Sequence, residues 1–256
     1  MTKRRVLITG GARRIGAVVA RSLASDGWDV VVHYNTSRSD AEQLAIDIRQ
    51  HGGSCGLIQA DLSDLNDIDS LIPTCIDAYG PLDCLINNAA SFINDDISSV
   101  SWDTFHYQTT TNLGAPLFLS QSFARSFGER TGGCIINMLD QKVGNLNPDF
   151  LSYTLSKVGL SGLTQVLSMA FKSRIRVCGI APGVTLISGK QTEEGFQRAW
   201  RATPSGRSST PEEIANCVRF ILTTPSLTGH TIVLDGGESV RGRSRDVAFD
   251  LDAEPV

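Results

Sequence analysis

The stretch RVLITGGARRIG, Arg5 to Gly16, decides how the rest of the chain is read. Its first half is a short apolar run closed by glycine, the pattern of a buried strand. Its second half opens a helix that the apolar spacing carries from Ile15 to Ser25, with Gly27 as the C-terminal cap. A tight turn between strand and helix leaves backbone N–H groups and the positive helix end facing outward, where a phosphate can bind. The pattern is not GxGxxG, because Arg14 stands where a middle glycine is expected.

The same alternation continues outward from this turn. DVVVHY (Asp29–Tyr34), CGLIQADL (Cys55–Leu62), LDCLINNAA (Leu82–Ala90), GCIINML (Gly133–Leu139), RIRVCGIAPG (Arg174–Gly183) and TIVLDGG (Thr231–Gly237) read as six further strands. Between them the spacing predicts helices over Asp40–His51, Asp64–Tyr79, Asn112–Phe127 and Tyr153–Ala170. Pro73 is expected to bend or divide the second of these. A last helix opens with Thr210, Pro211 and Glu213, the N-cap, N1 and N3 of a capping box. Strands that alternate with helices imply crossover units and a doubly wound parallel sheet with helices on both faces. No repeat or linker divides the chain, so the expectation is one α/β domain of Rossmann type over residues 1–242. A polar and mobile tail is expected over 243–256.

Composition narrows the function. The net charge of -4 gives no electrostatic case for nucleic acid or an anionic membrane as the main partner. Six scattered cysteines without a CxxC pair suit reduced, buried thiols better than disulfides or zinc, and the four histidines show no metal-ligand spacing. No apolar run reaches transmembrane length. The expected setting is the cytoplasm and the expected partner a small molecule.

The second strand ends VVHYNTSRS, with no acid to hold a ribose 2′-hydroxyl. His33, Asn35, Thr36, Ser37 and Arg38, with Arg13 in the glycine turn, are instead donors and cations suited to a 2′-phosphate. This favours NADP(H) over NAD(H) as cofactor.

TGGARRIG, ADL (Ala60–Leu62), NNAA (Asn87–Ala90), Asn112, YTLSK (Tyr153–Lys157), APG (Ala181–Gly183) and LDGG (Leu234–Gly237) occur in order. As a set they resemble the short-chain dehydrogenase/reductase family over about Lys3 to Val240. The resemblance implies a seven-stranded sheet, with Gly10 and Ile15 at the cofactor phosphates and Asp61 and Leu62 by the adenine. It implies Asn88, Ala89 and Ala90 along the cofactor and Pro182, Gly183 and Val184 beside the nicotinamide. Tyr153 would donate the proton, Lys157 would hold the nicotinamide ribose and lower the tyrosine pKa, and Asn112 would position a water. The chemistry agrees, because Tyr and Lys four residues apart share one helix face. A neighbouring ammonium also favours the phenolate. A homotetramer or homodimer is implied as well.

Where the family usually carries Ser, thirteen residues before the tyrosine, this chain has Asp140. A carboxylate is a poor partner for a ketone oxygen, since acceptor faces acceptor, and a good one for a ring N–H. The pteridine reductase branch has this feature, and other segments resemble that branch too. TGGARRIG is similar to its TGxxxRxG loop, whose arginine, here Arg14, points toward substrate and cofactor phosphate. HYNTS, His33 to Ser37, is similar to its HYxxS cofactor segment and brings in Tyr34. NNAASF is similar to its NNASxF, which places Phe92 as the ring that stacks on the pterin, with Ala90 replacing the usual Ser. In that branch a neighbouring subunit's C-terminus supplies an arginine, for which Arg241 and Arg243 are candidates here.

The leading expectation is NADPH-dependent reduction of a C=N bond in a dihydropterin or dihydrofolate. Catalysis would rest on Asp140, Tyr153, Lys157 and Asn112, and substrate contact on Arg14, Phe92, Asp140 and Tyr153. A carbonyl reductase acting on a small ketone or acyl thioester and a non-enzymatic NADP(H)-binding sensor are the alternatives. Val184 to Gly206 is expected to cover the substrate, with Gly189 and Gly195 allowing movement.

Overall fold

The computed structural model describes residues 3–187, 191–247 and 249. Seven parallel strands form one sheet in the order β3-β2-β1-β4-β5-β6-β7. They are β1 (Arg5–Ile8), β2 (Asp29–Tyr34), β3 (Ser54–Gln59), β4 (Cys84–Asn87), β5 (Gly133–Met138), β6 (Ile175–Pro182) and β7 (Thr231–Leu234). The expected doubly wound sheet is therefore present. In register, Ile8 lies between Val32 of β2 and Ile86 of β4. The chain leaves β1 in one direction and returns to its other side at β4, which opens a crevice at the strands' C-terminal ends.

The apolar runs are buried on both faces because helices cover both. On one face Val6, Ile8, Val30, Val32 and Ile136 pack with Val19 and Leu23 of α1 (Arg14–Ser25), Leu44 of α2 (Arg38–Gln50) and Ile214 and Val218 of α8 (Pro211–Thr223). On the other, Leu7, Val31, Leu85 and Ile135 meet Ile68, Leu71 and Ile72 of α3 (Leu65–Tyr79) and Leu119 and Phe123 of α5 (Ala115–Phe127). All six cysteines are free and buried, and burial pushes the Cys75 and Cys178 thiols up to about 12. The capping box at Thr210 and Glu213 forms as expected.

Several boundaries differ from the sequence reading. Pro73 does not divide α3; the buried face of Ile68, Leu71, Ile72 and Cys75 carries the helix through it. The helix expected from Asn112 starts earlier, as α4 (Trp102–Thr109), and reaches α5 through a π-helical turn, Thr110–Gly114. Gly195 lies in the first turn of α7 (Glu193–Arg201), where its N–H is held by Thr192, so it is not a hinge; Gly189 lies outside the described residues. α6 (Leu151–Phe171) carries the YTLSK segment, and α9 (Glu238–Arg241) precedes the tail. The described part of that tail is packed rather than loose, through Arg245 on Asp149 and Asp246 on Lys142. No helix among the described residues is long and apolar enough to cross a membrane.

Candidate active site

A cleft of ≈ 1020 Å³ runs along the C-terminal ends of the strands. It brings together Gly10, Arg13, Arg14, Ile15, His33 to Ser37, Asp61, Leu62, Asn88 to Ala90, Phe92, Asp140, Tyr153, Lys157 and Pro182 to Val184. Among the expected site residues, Asn112, Arg241, Arg243 and Arg38, which pairs with Glu42, are not on its wall.

At the nucleotide end the backbone fits a dinucleotide. Gly10 has φ +58, and a Cβ there would come 2.9 Å from Ala89 Cα. A Cβ on Gly16 would lie 2.5 Å from Gly10 O. Only glycine permits this close approach of loop, helix and β4. Thr9 Oγ1 accepts from the Asn88 and Ala89 N–H groups, and Asn88 Nδ2 donates to the Thr9 and Gly10 carbonyls. Asn88 thus braces the loop.

His33 departs from expectation. It is buried; Nδ1 accepts from the Gly10 N–H at 3.0 Å, and Nε2 lies 3.1 Å from the Ala60 carbonyl. Burial lowers its pKa to about 4. A neutral ring with both nitrogens in use ties the glycine loop to β2 and β3 and cannot serve as a cation for phosphate. Asp61 is held below the usual carboxylate range by the Ser63 N–H and hydroxyl, with Asn35 also bonded to it. Tyr34, Thr36, Ser37 and the exposed Arg13, 3.8 Å from Asp40, remain at the cleft's edge.

Arg14 adopts the left-handed conformation, φ 54, in the place of the expected glycine, at roughly 1–2 kcal/mol of strain. Its guanidinium crosses the cleft and donates to Ile187 O at 2.8 Å and Leu186 O at 3.5 Å. It fastens the segment after β6 over the nucleotide end.

At the other end the opening of α6 and the end of β5 face each other. Tyr153 Oη donates to Asp140 Oδ2 at 2.8 Å, and Asp140 Oδ1 accepts from the Lys142 N–H at 2.9 Å. Lys157 Nζ donates to Met138 O at 2.7 Å. Burial raises the Asp140 pKa against these two donors and Lys157. Burial and then the Asp140 charge push Tyr153 well above its usual value. Burial lowers Lys157 to about 8. The tyrosine is therefore a protonated hydroxyl here, in contrast to the lowered pKa expected from the lysine alone. Burial first, and then the Asp140 carboxylate, set the direction of the shift.

Asn112 sits in the π-helical turn. Its Oδ1 accepts from the Ser91 N–H, and its Nδ2 donates to Ser91 O and Ser156 Oγ. These bonds make it a clamp on the segment that carries Phe92. Phe92 is 41% exposed. It stacks on Phe150 with centroids 4.2 Å apart and meets Tyr153 edge-on at 4.7 Å.

Arg241 and Arg243 fold onto their own subunit, both donating to Ala202 O. Sequence reasoning did not find Phe150, Lys142, Asp246 and Phe249, which also line the cleft. Phe150 directly precedes α6 with φ 53, a conformation no sequence pattern announces.

Comparison with known proteins follows the same lines. A 3-oxoacyl-(acyl-carrier-protein) reductase of Synechocystis sp. is 29% identical over 242 residues, covering 93% of this chain and 97% of that protein. The 3-oxoacyl-(acyl-carrier-protein) reductase FabG of Staphylococcus aureus is 30% identical over 243 residues, covering 93% and 98%. Among solved structures, FolM Alternative dihydrofolate reductase 1 from Brucella suis in complex with NADP superposes with a TM-score of 0.89 at 38% identity, covering 93% of this chain and 95% of that one. The Brucella canis protein of the same name, also complexed with NADP, gives 0.87 at 37%, covering 93% and 94%. The short chain dehydrogenase family model matches residues 4–196. With the glycine loop, the Tyr153–Lys157 pair and the sheet order in place, the chain belongs to the short-chain dehydrogenase/reductase family of nicotinamide-dependent oxidoreductases.

Proposed function

We propose that the chain reduces a C=N bond of a pteridine, a dihydropterin or dihydrofolate, with NADPH. The observation that carries this reading is the 2.8 Å hydrogen bond from Tyr153 to Asp140 at the end of β5, beside the exposed ring of Phe92. A carboxylate there accepts from a heterocycle's N–H, and Phe92 offers a flat ring a stacking surface. The names and NADP complexes of the two Brucella neighbours support the same reading.

When bound, NADPH supplies the hydride that adds to the ring carbon of the C=N bond. The chain's residues do the rest. Gly10, Gly16 and Asn88 shape the phosphate turn, and Thr36, Ser37 and Arg13 meet the 2′-phosphate. Phe92 sets the height of the substrate ring. Asp140 orients it through an N–H. Tyr153, protonated at neutral pH, donates to the adjacent nitrogen, and Lys157 holds the ribose and steadies the charge left behind. The product is the CH–NH compound, with one hydride and one proton added. The setting is cytoplasmic and the assembly a homodimer or homotetramer, for which sedimentation is the check.

One observation favours a second reading. Burial raises Asp140 toward its protonated form, and a protonated carboxyl donates to a carbonyl oxygen, as reduction of a 3-oxoacyl thioester requires. NADPH oxidation followed by absorbance with dihydrobiopterin, dihydrofolate, an acetoacetyl thioester and a small ketone decides between them. Turnover of the two heterocycles alone supports the pteridine reading; turnover of the thioester alone overturns it.

A further inference from the structure

The described residues after α9 fold back along the substrate end of their own cleft. Arg245 grips Asp149 with Nε at 3.1 and 2.9 Å from the two carboxylate oxygens and Nη2 at 2.9 Å from Oδ1. The Asp246 N–H donates to the same carboxylate at 2.7 Å. Although burial opposes it, these partners hold Asp149 below the usual carboxylate range. One residue on, Asp246 Oδ2 lies 2.7 Å from Nζ of the buried Lys142, which also donates to Asn147. Phe249 then stacks on Phe150 at 5.7 Å and 26°, and Phe150 on Phe92 at 4.2 Å and 14°. Three near-parallel rings thus run from the tail to the edge of Tyr153. Phe150 covers one face of Phe92, yet Phe92 keeps 41% of its surface open in the cleft. The Lys142–Asp246 pair joins a buried ammonium to a partly buried carboxylate at 2.7 Å, so the segment is tied down at two charged points.

We propose that the tail residues Arg243 to Val247, together with Phe249, are the outer wall of this chain's own substrate site. Arg245 and Asp149 are its latch, and Phe249 is a specificity-determining positioning residue that fixes the tilt of Phe92 through Phe150. The reading of Phe92 as a stacking surface rests on the proposed function; the wall itself does not. The segment acts on substrate rather than cofactor, because Arg245, Asp246 and Phe249 engage Asp149, Lys142 and Phe150 at the Asp140–Tyr153 end of the cleft.

The test is steady-state kinetics on the full chain, with whichever substrate the intact protein turns over. Arg245→Ala removes the latch from an exposed position, and Phe249→Ala removes the outer ring. Each raises KM about tenfold, with NADPH affinity and melting temperature unchanged. Arg245→Lys recovers most of the loss, and the double variant is no worse than either single one, because both act through one path. Raising the ionic strength raises KM for the intact chain and not for Arg245→Ala. An unchanged KM in Arg245→Ala, or additive losses in the double variant, overturns the proposal. If the substrate screen returns only acyl thioesters, the pteridine reading falls, and the same comparison on the thioester still decides the wall. If no substrate is turned over, both fall.

Discussion

Lys157→Met separates the catalytic need for a buried ammonium from its effect on stability. Lys157 is 2% exposed, and burial lowers its pKa from 10.5 to about 8, the Asp140 charge opposing. Each pKa unit corresponds to about 1.4 kcal/mol. At about pH 7 the charged lysine therefore destabilises the folded state by about 3 kcal/mol relative to the unfolded chain. Methionine keeps the length of the side chain and discards the charge. It also discards the bond to Met138 O at 2.7 Å, worth about 1–2 kcal/mol. The net expectation near pH 7 is a variant more stable by about 1–2 kcal/mol, with a Tm higher by about 3–6 °C and no measurable turnover. The sign of the pH dependence follows from the depressed pKa. Between about 8 and 10.5 the unfolded chain binds more protons at this residue than the folded chain, so the intact protein gains stability as pH rises. The variant lacks that gain. By about pH 9.5 the destabilisation in the intact protein has shrunk to about 1.4 kcal/mol, and the two proteins should be nearly equal. Urea melts of both at the two pH values measure the difference. The same gap at both, or a variant more than about 2 kcal/mol less stable near pH 7, refutes the account of Lys157.

Three further outcomes are expected. His33, with its pKa lowered from 6.5 to about 4, takes up a proton in the unfolded chain first. Stability should therefore fall by about 3 kcal/mol as pH drops through that window, and His33→Gln should flatten this part of the curve in denaturation melts. Gly16→Ala places a Cβ 2.5 Å from Gly10 O and 2.8 Å from Asn88 Nδ2, and should lower stability by about 1–3 kcal/mol and weaken NADPH binding measured by fluorescence. Asp140→Ser should lower turnover of a heterocyclic substrate by on the order of a hundredfold while NADPH affinity holds; equal turnover would remove Asp140 from the reaction.

Local chemistry made most of the scaffold legible. RVLITGG could be read as strand and phosphate turn because apolar run, glycine and helix start lie together, and Thr210 to Glu213 spelled out their own cap. Asp140 and Tyr153 were legible as a pair through the family resemblance, in which a Ser stands thirteen residues before the tyrosine, and a 2.8 Å bond joins them in the structure. What escaped depends on distance or on competing forces. Arg245 meets Asp149 across 96 residues, and no periodicity encodes that. His33 has the side chain of a phosphate ligand, but the protein around it removes its charge. α4 escaped because Trp102–Thr109 mixes polar, aromatic and β-branched residues without a clear stripe; among its members only Gln108 is buried.

The reversal of strand order between β1 and β4 has a consequence for how such a chain can change. The glycine-turn end of the cleft is built before β4, from the Gly10 turn, Tyr34 to Ser37 and Asp61. Phe92, Asp140, Phe150, Tyr153 and the tail all arise after it. The glycine-turn end of the cleft and the Phe92–Asp140 end are thus inherited on largely separate stretches of polypeptide, joined where Asn88 braces the Gly10 turn. A new chemistry can be grafted onto the later stretch while the earlier one stays as it is, which is how thioester reductases and folate reductases can both align with this chain almost end to end.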